Sequence, residues 1–433
     1  MDLLHVNDRP GAYPPSWYAA TAPLLDPLPA LAADTEADVC VIGAGYTGLS
    51  TALHLAERGR RVVVLDAHRV GWGASGRNGG QVGTGQRLGQ LALERLVGHE
   101  AAHRLWDLGL AANALVRGLI VRHGIDCDAT PGVLHADHRA RFVEGTRREV
   151  EHLRDAYGYT QIRFVDREEM RAIVNSADYH GGALDSGAGH LHPLRYALGL
   201  ARAALAAGVT IHETTEALAV EPGCPAVVAT PGGRVRAGTV VLACNGYLRG
   251  LDSQVAARVL PINNYIVATA PLGKDGMWNV LREPVAVADS RFVINYFRPT
   301  PDHRLLFGGG ESYGYTFPRD IKAFVRRPML KVFPQLADTP LEYGWGGTLA
   351  ITRSRLPLLC RPAAGVVSAS GFSGQGVALA TLAGQVVAEA IAGETERFDA
   401  MAAAPTPPFP GGTRLRRSLL ALAMTYYALR DRF

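Results

Sequence analysis

ADVCVIGAGYTGLSTALHLAERGRRVVVLD, residues Ala37 to Asp66, is the stretch on which the fold turns. Val39 to Ile42 is an apolar run short enough for a buried strand, and Gly43, Gly45 and Gly48 follow it as GxGxxG. Tyr46 to Arg58 then has helical spacing, with Leu49, Ala52, Leu53 and Ala56 on one face. Val62 to Leu65 is a second buried strand, and Asp66 ends it. Each part has a physical task. Gly43 permits a tight strand-to-helix turn, Gly45 lets a pyrophosphate approach the backbone, and Gly48 lets helix and strand pack closely. The helix start at Tyr46 and Thr47 offers free N–H groups and a positive dipole end to phosphate. Asp66, with Ala67 beside it, lies about 20 residues beyond the glycines, where a carboxylate accepts ribose hydroxyls. The glycine pattern alone is weak: Gly71, Gly73 and Gly76 repeat it without the strand and helix. The ordered strand, turn, helix, strand and acid make the reading a dinucleotide site.

Three features outside this unit favour FAD over NAD. No second GxGxxG sits in a strand–turn–helix setting. The second strand runs at once into GWGASGRNGGQ, Gly71 to Gln81, where a plain NAD domain would place a crossover helix. Ser75, Gly76, Arg77, Asn78, Gly79, Gly80 and Gln81 are therefore candidates for contact with a flat ring. Near its end the chain returns to a glycine turn, Gly371, Phe372, Ser373, Gly374, Gln375 and Gly376. A strand at Val366 to Ala369 precedes it and a helix at Val377 to Ile391 follows. That helix start, aimed at a flavin's pyrimidine edge, would stabilise the charge of the reduced ring.

Further out, Pro193 to Ala207 reads as a helix and Val209 to His212 as a strand. Ala217 to Ala219 leads into a hairpin turning at Pro231 to Gly233, with Val220 as a candidate cofactor contact, and Thr239 to Cys244 is another buried strand. This interrupted βαβ order predicts an α/β, Rossmann-like FAD-binding domain assembled from discontinuous segments. Two other blocks differ. Ile125 to Gly189 mixes short strands with a charged helix around Arg139 to Tyr157. Leu260 to Thr348 holds INNYIVATAP, VAVADS, RFVINYFRP and HRLLFGGGE, the pattern of an antiparallel meander. They predict an α+β cap domain for substrate. The expected division is an N-terminal arm (1–35), cofactor segments 36–124, 190–250 and 349–433, and cap segments 125–189 and 251–348.

Composition narrows the function. The chain has 433 residues, 48% hydrophobic, with a net charge of +4. Its arginines are dispersed and form no basic stripe, so no nucleic-acid partner is expected. Five cysteines without a CxxC pair support neither a metal site nor a disulfide framework, which fits a reducing cytoplasm. The start of the chain lacks a signal-peptide pattern. Leu419 to Leu429 is too short to span a bilayer; resting on a membrane surface or packing on the protein are both open. Arg414, Arg416 and Arg417 read as a solvated face.

In these residues the chain resembles the D-amino-acid-oxidase-type flavoprotein superfamily, and within it the γ-glutamylputrescine oxidases. SWYAATAP, GWGASGRNGGQ, GIDCD, GHLHPL, LACNGYL, LLFGGGESYG, GFSGQGV, ERFDAMAAAPTPPFPGG and YYALRDR carry the resemblance over nearly the whole length. SGRNGGQ, PFPGG and YYALRDR are its more specific parts. The resemblance implies a two-domain fold and non-covalent FAD, since Gly346 to Pro357 lacks the flavin-linking cysteine of some members. It implies oxidation of a primary amine, a γ-glutamyl polyamine, to an imine with O2 as acceptor. Sarcosine, glycine or a D-amino acid as substrate, or a non-oxygen acceptor, are the alternatives. Three further departures matter. Asp66 stands where many relatives have glutamate, which still leaves a carboxylate. Gln375 stands where some relatives have histidine, and HRLLFGGG lacks the oxygen-activating lysine of others.

Substrate contacts are less legible. The period-2 rule puts Tyr296 and Arg298 on one strand face, where they could hold a carboxylate or form a surface pair. Trp345 walls the site or belongs to the core. Glu311 reads as a loop carboxylate, with contact to a cationic amine as the alternative. His190 and His192 lie either near the flavin or in capping and core positions.

Overall fold

The computed structural model describes residues 2–312 and 314–412. The apolar run 419–429, the arginines 414–417 and the YYALRDR segment lie outside them. Two sheets organise the described chain.

The first sheet has eight strands. Its parallel core runs Val366–Ser370, Gly233–Leu242, Thr35–Ile42, Val62–Leu65 and Thr210–His212 in that spatial order. Leu358–Ala363 adds an antiparallel edge. The hairpin strands Ala219–Glu221 and Ala226–Thr230 lead back antiparallel into Gly233–Leu242. Valine-rich runs such as Val39, Val41, Val62, Val64 and Val241 are buried because helices cover the sheet. The helices Tyr46–Ala56, Pro193–Ala206, His99–Arg122 and Gly376–Ile391 pack there. The first strand begins at Thr35, earlier than the sequence reading. Its neighbour is longer than expected: the return arm of the hairpin and the buried Thr239 run form one strand, paired from Thr35 opposite Val235 onward.

The second sheet has nine strands. Leu341–Ile351, Leu260–Thr269, Leu305–Ser312, Tyr296–Pro299 and Ala286–Asp289 are antiparallel neighbours in that order. The meander is thus real for the last three, while Leu260–Thr269 inserts between Leu305–Ser312 and Leu341–Ile351. Thr130–Ala136 joins Ala286–Asp289 in parallel, then Gly182–His190 follows, flanked by Gln81–Val82 and Ile162–Val165. A cluster of Tyr179, Tyr265, Phe297, Phe307, Met329 and Phe333 forms its separate core. The strand expected over Arg291 to Pro299 shrinks to Tyr296–Pro299. Asp289 explains this: its carboxylate takes the Asn295 N–H and the Arg291 guanidinium, bending the chain into a turn.

Gln81–Val82 pairs in the second sheet although the chain around it belongs to the first. Its partner Gly182–His190 belongs to the cap block, and the pairing draws the glycine-rich run between the two sheets. The N-terminal arm docks along the first sheet, with Leu28 N donating to Glu213 and Leu31 N to Thr215.

Candidate cofactor and substrate site

Between the sheets lies a cavity of about 910 Å³, floored by three glycine-rich loops. The first follows strand Thr35–Ile42. Gly43 has φ +109, and a Cβ there would meet the Ala243 carbonyl at 2.8 Å. A Cβ on Gly48 would come within 1.9 Å of the Gly43 carbonyl oxygen. Glycine is therefore required by close approach of turn, helix and strand. Ala44 N–H donates to Asp66 Oδ2 at 2.7 Å, and His68 N–H to Oδ1 at 2.8 Å. Burial pushes the Asp66 carboxyl up to about 6, against those donors, which favour its ionised form.

The second loop holds its shape through Arg77. The guanidinium is buried and donates from Nε to Trp72 O at 2.6 Å and from Nη1 to Asp8 at 2.9 Å and to Gly346 O at 3.1 Å. Its Nη2 has no hydrogen-bond partner among the described residues, and Arg77 lines the cavity. Asn78 donates to Ala74 O and Ser75 O and accepts from Gly80 N–H, folding the loop on itself. Ser75 Oγ takes the Tyr46 N–H and so joins the second loop to the first helix start.

In the third loop, Gly371 has φ +76 and Ser373 φ +54, and Ser373 N–H donates to Ala350 O. The helix Gly376–Ile391 begins here, and Gly374, Gln375 and Gly376 line the cavity. Gln375 Nε2 donates to Thr84 O at 3.3 Å.

A flat heterocycle with a pyrophosphate and a ribose fits this donor set. Bare backbone faces the cavity at Gly43, Gly45, Gly73 and Gly79, two helix starts open onto it, a carboxylate stands at one end, and a spare guanidinium donor lies in the second loop. Of the expected cofactor residues, Gly48, Gly76, Gly80 and Gly371 support the loops from behind, while the others line the cavity apart from Val220. Val220 lies on the hairpin strand Ala219–Glu221; Thr215, Glu216 and Ala217 are the residues of that stretch that reach the cavity. Beside them stand Leu4, which sequence reasoning missed entirely, and Cys244, whose thiol burial pushes up to about 12. Leu4 is held there because His68 Nε2 bonds its carbonyl at 2.7 Å.

On the second-sheet side, Tyr296 lines the cavity and donates to Asn264 Oδ1. A Cβ on Gly79 would meet its ring at 2.7 Å, so the loop lies flat beneath it. Burial holds its phenol well above the usual range. Arg298 shares that strand face but is consumed by structure. It donates to Gly79 O at 2.9 Å, Leu191 O at 3.1 Å, Tyr18 Oη at 3.3 Å and Pro299 O at 3.3 Å, and it lies outside the cavity. Its expected role as a carboxylate fork is therefore corrected to a brace for the loop. Trp345 is also a support: buried, it donates from Nε1 to Arg77 O at 3.1 Å and stacks edge-on with Tyr18. His192 caps the helix Pro193–Ala206, and burial lowers its imidazole to about 3. His190 bonds Pro284 O and is lowered by burial to about 4. Neither faces the cavity. Arg87, Arg355 and Glu311 do; the first two carry no motif that could have marked them.

The family model described as FAD dependent oxidoreductase, DAO, matches residues 38–390. A probable oxidoreductase OrdL of Rhizobium meliloti is 43% identical over 419 residues, covering 96% of this chain and 97% of that protein. The gamma-glutamylputrescine oxidoreductase of Escherichia coli is 38% identical over 418 residues, covering 96% and 98%. Among solved structures, glycine oxidase from Geobacillus kaustophilus superposes with a TM-score of 0.69 at 23% identity, covering 83% of this chain and 95% of that one. L-proline dehydrogenase from P. horikoshii gives 0.68, also at 23% identity, covering 85% and 96%.

Proposed function

Since the chain belongs to the DAO family of FAD-dependent oxidoreductases, we propose that it oxidises a primary amine, γ-glutamylputrescine or a related γ-glutamyl polyamine, with O2 as acceptor. The observation that carries this reading is the 38% identity to gamma-glutamylputrescine oxidoreductase over 96% of the chain, cap segments included. When bound, FAD would supply the two-electron oxidant for converting the amine to an imine, whose hydrolysis would give aldehyde and ammonia, with O2 as the final acceptor giving H2O2.

The protein's share is position and field. Gly43, Gly45 and the start of the helix Tyr46–Ala56 are disposed for a pyrophosphate, and Asp66 for ribose hydroxyls. The start of the helix Gly376–Ile391 opens on the cavity, and its positive end would stabilise negative charge on a bound ring. Tyr296, kept protonated by burial, closes the cavity over Gly79 and helps exclude water. An amine must be neutral to give up hydride, and an apolar pocket lowers its pKa. No dedicated base is required, and turnover should rise with pH through a single ionisation between about 6 and 10, where amines in pockets titrate.

The test begins with the absorption spectrum of the purified protein. Addition of γ-glutamylputrescine without oxygen should bleach the flavin, and air should restore it with stoichiometric peroxide. Bleaching by sarcosine, glycine or a D-amino acid but not by γ-glutamylputrescine would overturn the substrate. A flavin that stays reduced in air would overturn the acceptor, and a pH-independent rate would overturn the neutral-amine requirement.

A further inference from the structure

Three charged side chains face the cavity in positions that the proposed chemistry leaves unused. Arg87 stands in the loop between strand Gln81–Val82 and helix Gln90–Val97, against the 371–376 turn: a Cβ on Gly374 would lie 3.9 Å from its Nε. Its guanidinium lines the cavity and makes no hydrogen bond or salt bridge among the described residues. Arg355 lines the same cavity from a turn whose ends are tied by Thr352 Oγ1 donating to Leu356 O at 2.7 Å. Its φ is +65, a conformation that costs a non-glycine residue free energy and is found where a side chain must be aimed. Glu311 faces them from strand Leu305–Ser312, opposite Asn264.

An enclosed guanidinium without a partner is expensive to hold, and Arg87 feels it. Burial and the nearby Arg355 both lower its pKa, and Glu311 opposes them. Two guanidiniums thus stand near one carboxylate in this part of the cavity. A planar fork of donors is matched by a carboxylate.

We propose that Arg87 and Arg355 form a carboxylate-binding subsite that holds the amino-acid head of the substrate, remote from the amine being oxidised, with Glu311 meeting the ammonium of that head. This rests on the amine-oxidase reading above and adds to it what the far end of the substrate must carry. Plain diamines lack that group, so the subsite selects acyl amines that end in a zwitterion.

The experiment uses the FAD-loaded full chain and two probes that cannot be oxidised. γ-Glutamylbutylamide keeps the glutamyl head, and N-acetylbutylamine lacks it. Binding is read as a perturbation of the flavin absorption band. The wild-type protein should prefer the first probe, and Arg87→Gln or Arg355→Gln should each erode that preference by roughly 10- to 100-fold, the range for losing hydrogen bonds to a charged group. Arg87→Lys should restore part of it. In turnover, both glutamine variants should raise KM for γ-glutamylputrescine far more than they lower kcat. The subsite is overturned if wild-type protein binds both probes equally, if the preference survives in both glutamine variants, or if Arg87→Gln changes only FAD affinity. Wild-type protein that shows the Arg87-dependent preference yet oxidises only glycine breaks the proposed function and keeps the subsite. Oxidation of γ-glutamylputrescine with an unaltered preference in the variants does the reverse.

Discussion

The loops of the first sheet and the wall of the second face one cavity but recognise by opposite means. At 43–48, 71–81 and 371–376 the working surface is peptide backbone, and the side chains are missing on purpose: a methyl group on Gly48 or Gly80 would strike a carbonyl oxygen at 1.9 or 2.1 Å. On the second sheet the working surface is side chain, carried by strands whose backbones pair with one another. Backbone recognition leaves a trace in composition because only glycine permits it. Side-chain recognition depends on which way each residue points and on what its polar atoms already hold. Tyr296 and Arg298 show the difference: two positions apart on one strand, the first opens on the cavity and the second is spent bracing a loop.

Substitutions can break this contrast, beginning with the most damaging. Gly48→Ala should destabilise the protein by about 3 kcal/mol, the upper range for overpacking, and abolish tight FAD retention. Gly59→Ala is its control. That residue, unlike the helical Gly48, has a left-handed backbone, φ +76, and open space around it, so only the roughly 1 to 2 kcal/mol of left-handed backbone strain applies. Denaturant unfolding of both variants measures the gap, and equal losses would mean that close approach at Gly48 is not what the motif protects.

Arg298→Met comes next. It strands the carbonyls of Gly79 and Leu191 in a buried setting, and an expected loss of about 2 to 3 kcal/mol in stability should accompany weaker flavin binding. The KM of any substrate carboxylate should not shift selectively. A selective rise in KM, with stability unchanged, would return Arg298 to the substrate and dissolve the contrast.

Asp66→Asn is the mildest change, removing charge while keeping shape. FAD affinity, followed by titration of apoprotein, should fall about 10-fold or somewhat more. The same carboxylate predicts a pH dependence. Burial raises its pKa to about 6 in the free protein, and donation from ribose hydroxyls favours the ionised form, lowering the pKa when FAD binds. Affinity should therefore be full above about 6 and decline as pH falls through that value. The Asn variant should lose this decline.

These outcomes bear on why so much of the first sheet was readable. Strands Thr35–Ile42 and Val62–Leu65 and helix Tyr46–Ala56 follow from local patterns, because a parallel sheet buried on both faces demands unbroken apolar runs. The glycine loops are marked by composition in the same way, and they line the cavity. Val220 was misplaced because the chain touches the cavity three residues earlier, at Ala217, before the hairpin turns away. Strand bounds in the second sheet suffered from long-range polar ties such as Asp289 with Asn295, which no period can reveal. Leu4, Arg87 and Arg355 escaped notice for the same reason. Each reaches the cavity through a fold-level contact, and a lone leucine or arginine among many bears no mark of it.

The first residues of the chain have a practical side. Asp8 pairs with the buried Arg77, His68 holds Leu4 by its carbonyl, and Tyr13 Oη donates to Val70 O. Trp17 reaches Asp302, and Tyr18 meets Arg298. Trimming the chain to Thr35, where the first strand begins, would leave a guanidinium without its counter-ion and take Leu4 out of the cavity lining. Purification handles and fluorescent fusions therefore belong away from this end, where they would otherwise tug on the lining of the cofactor chamber.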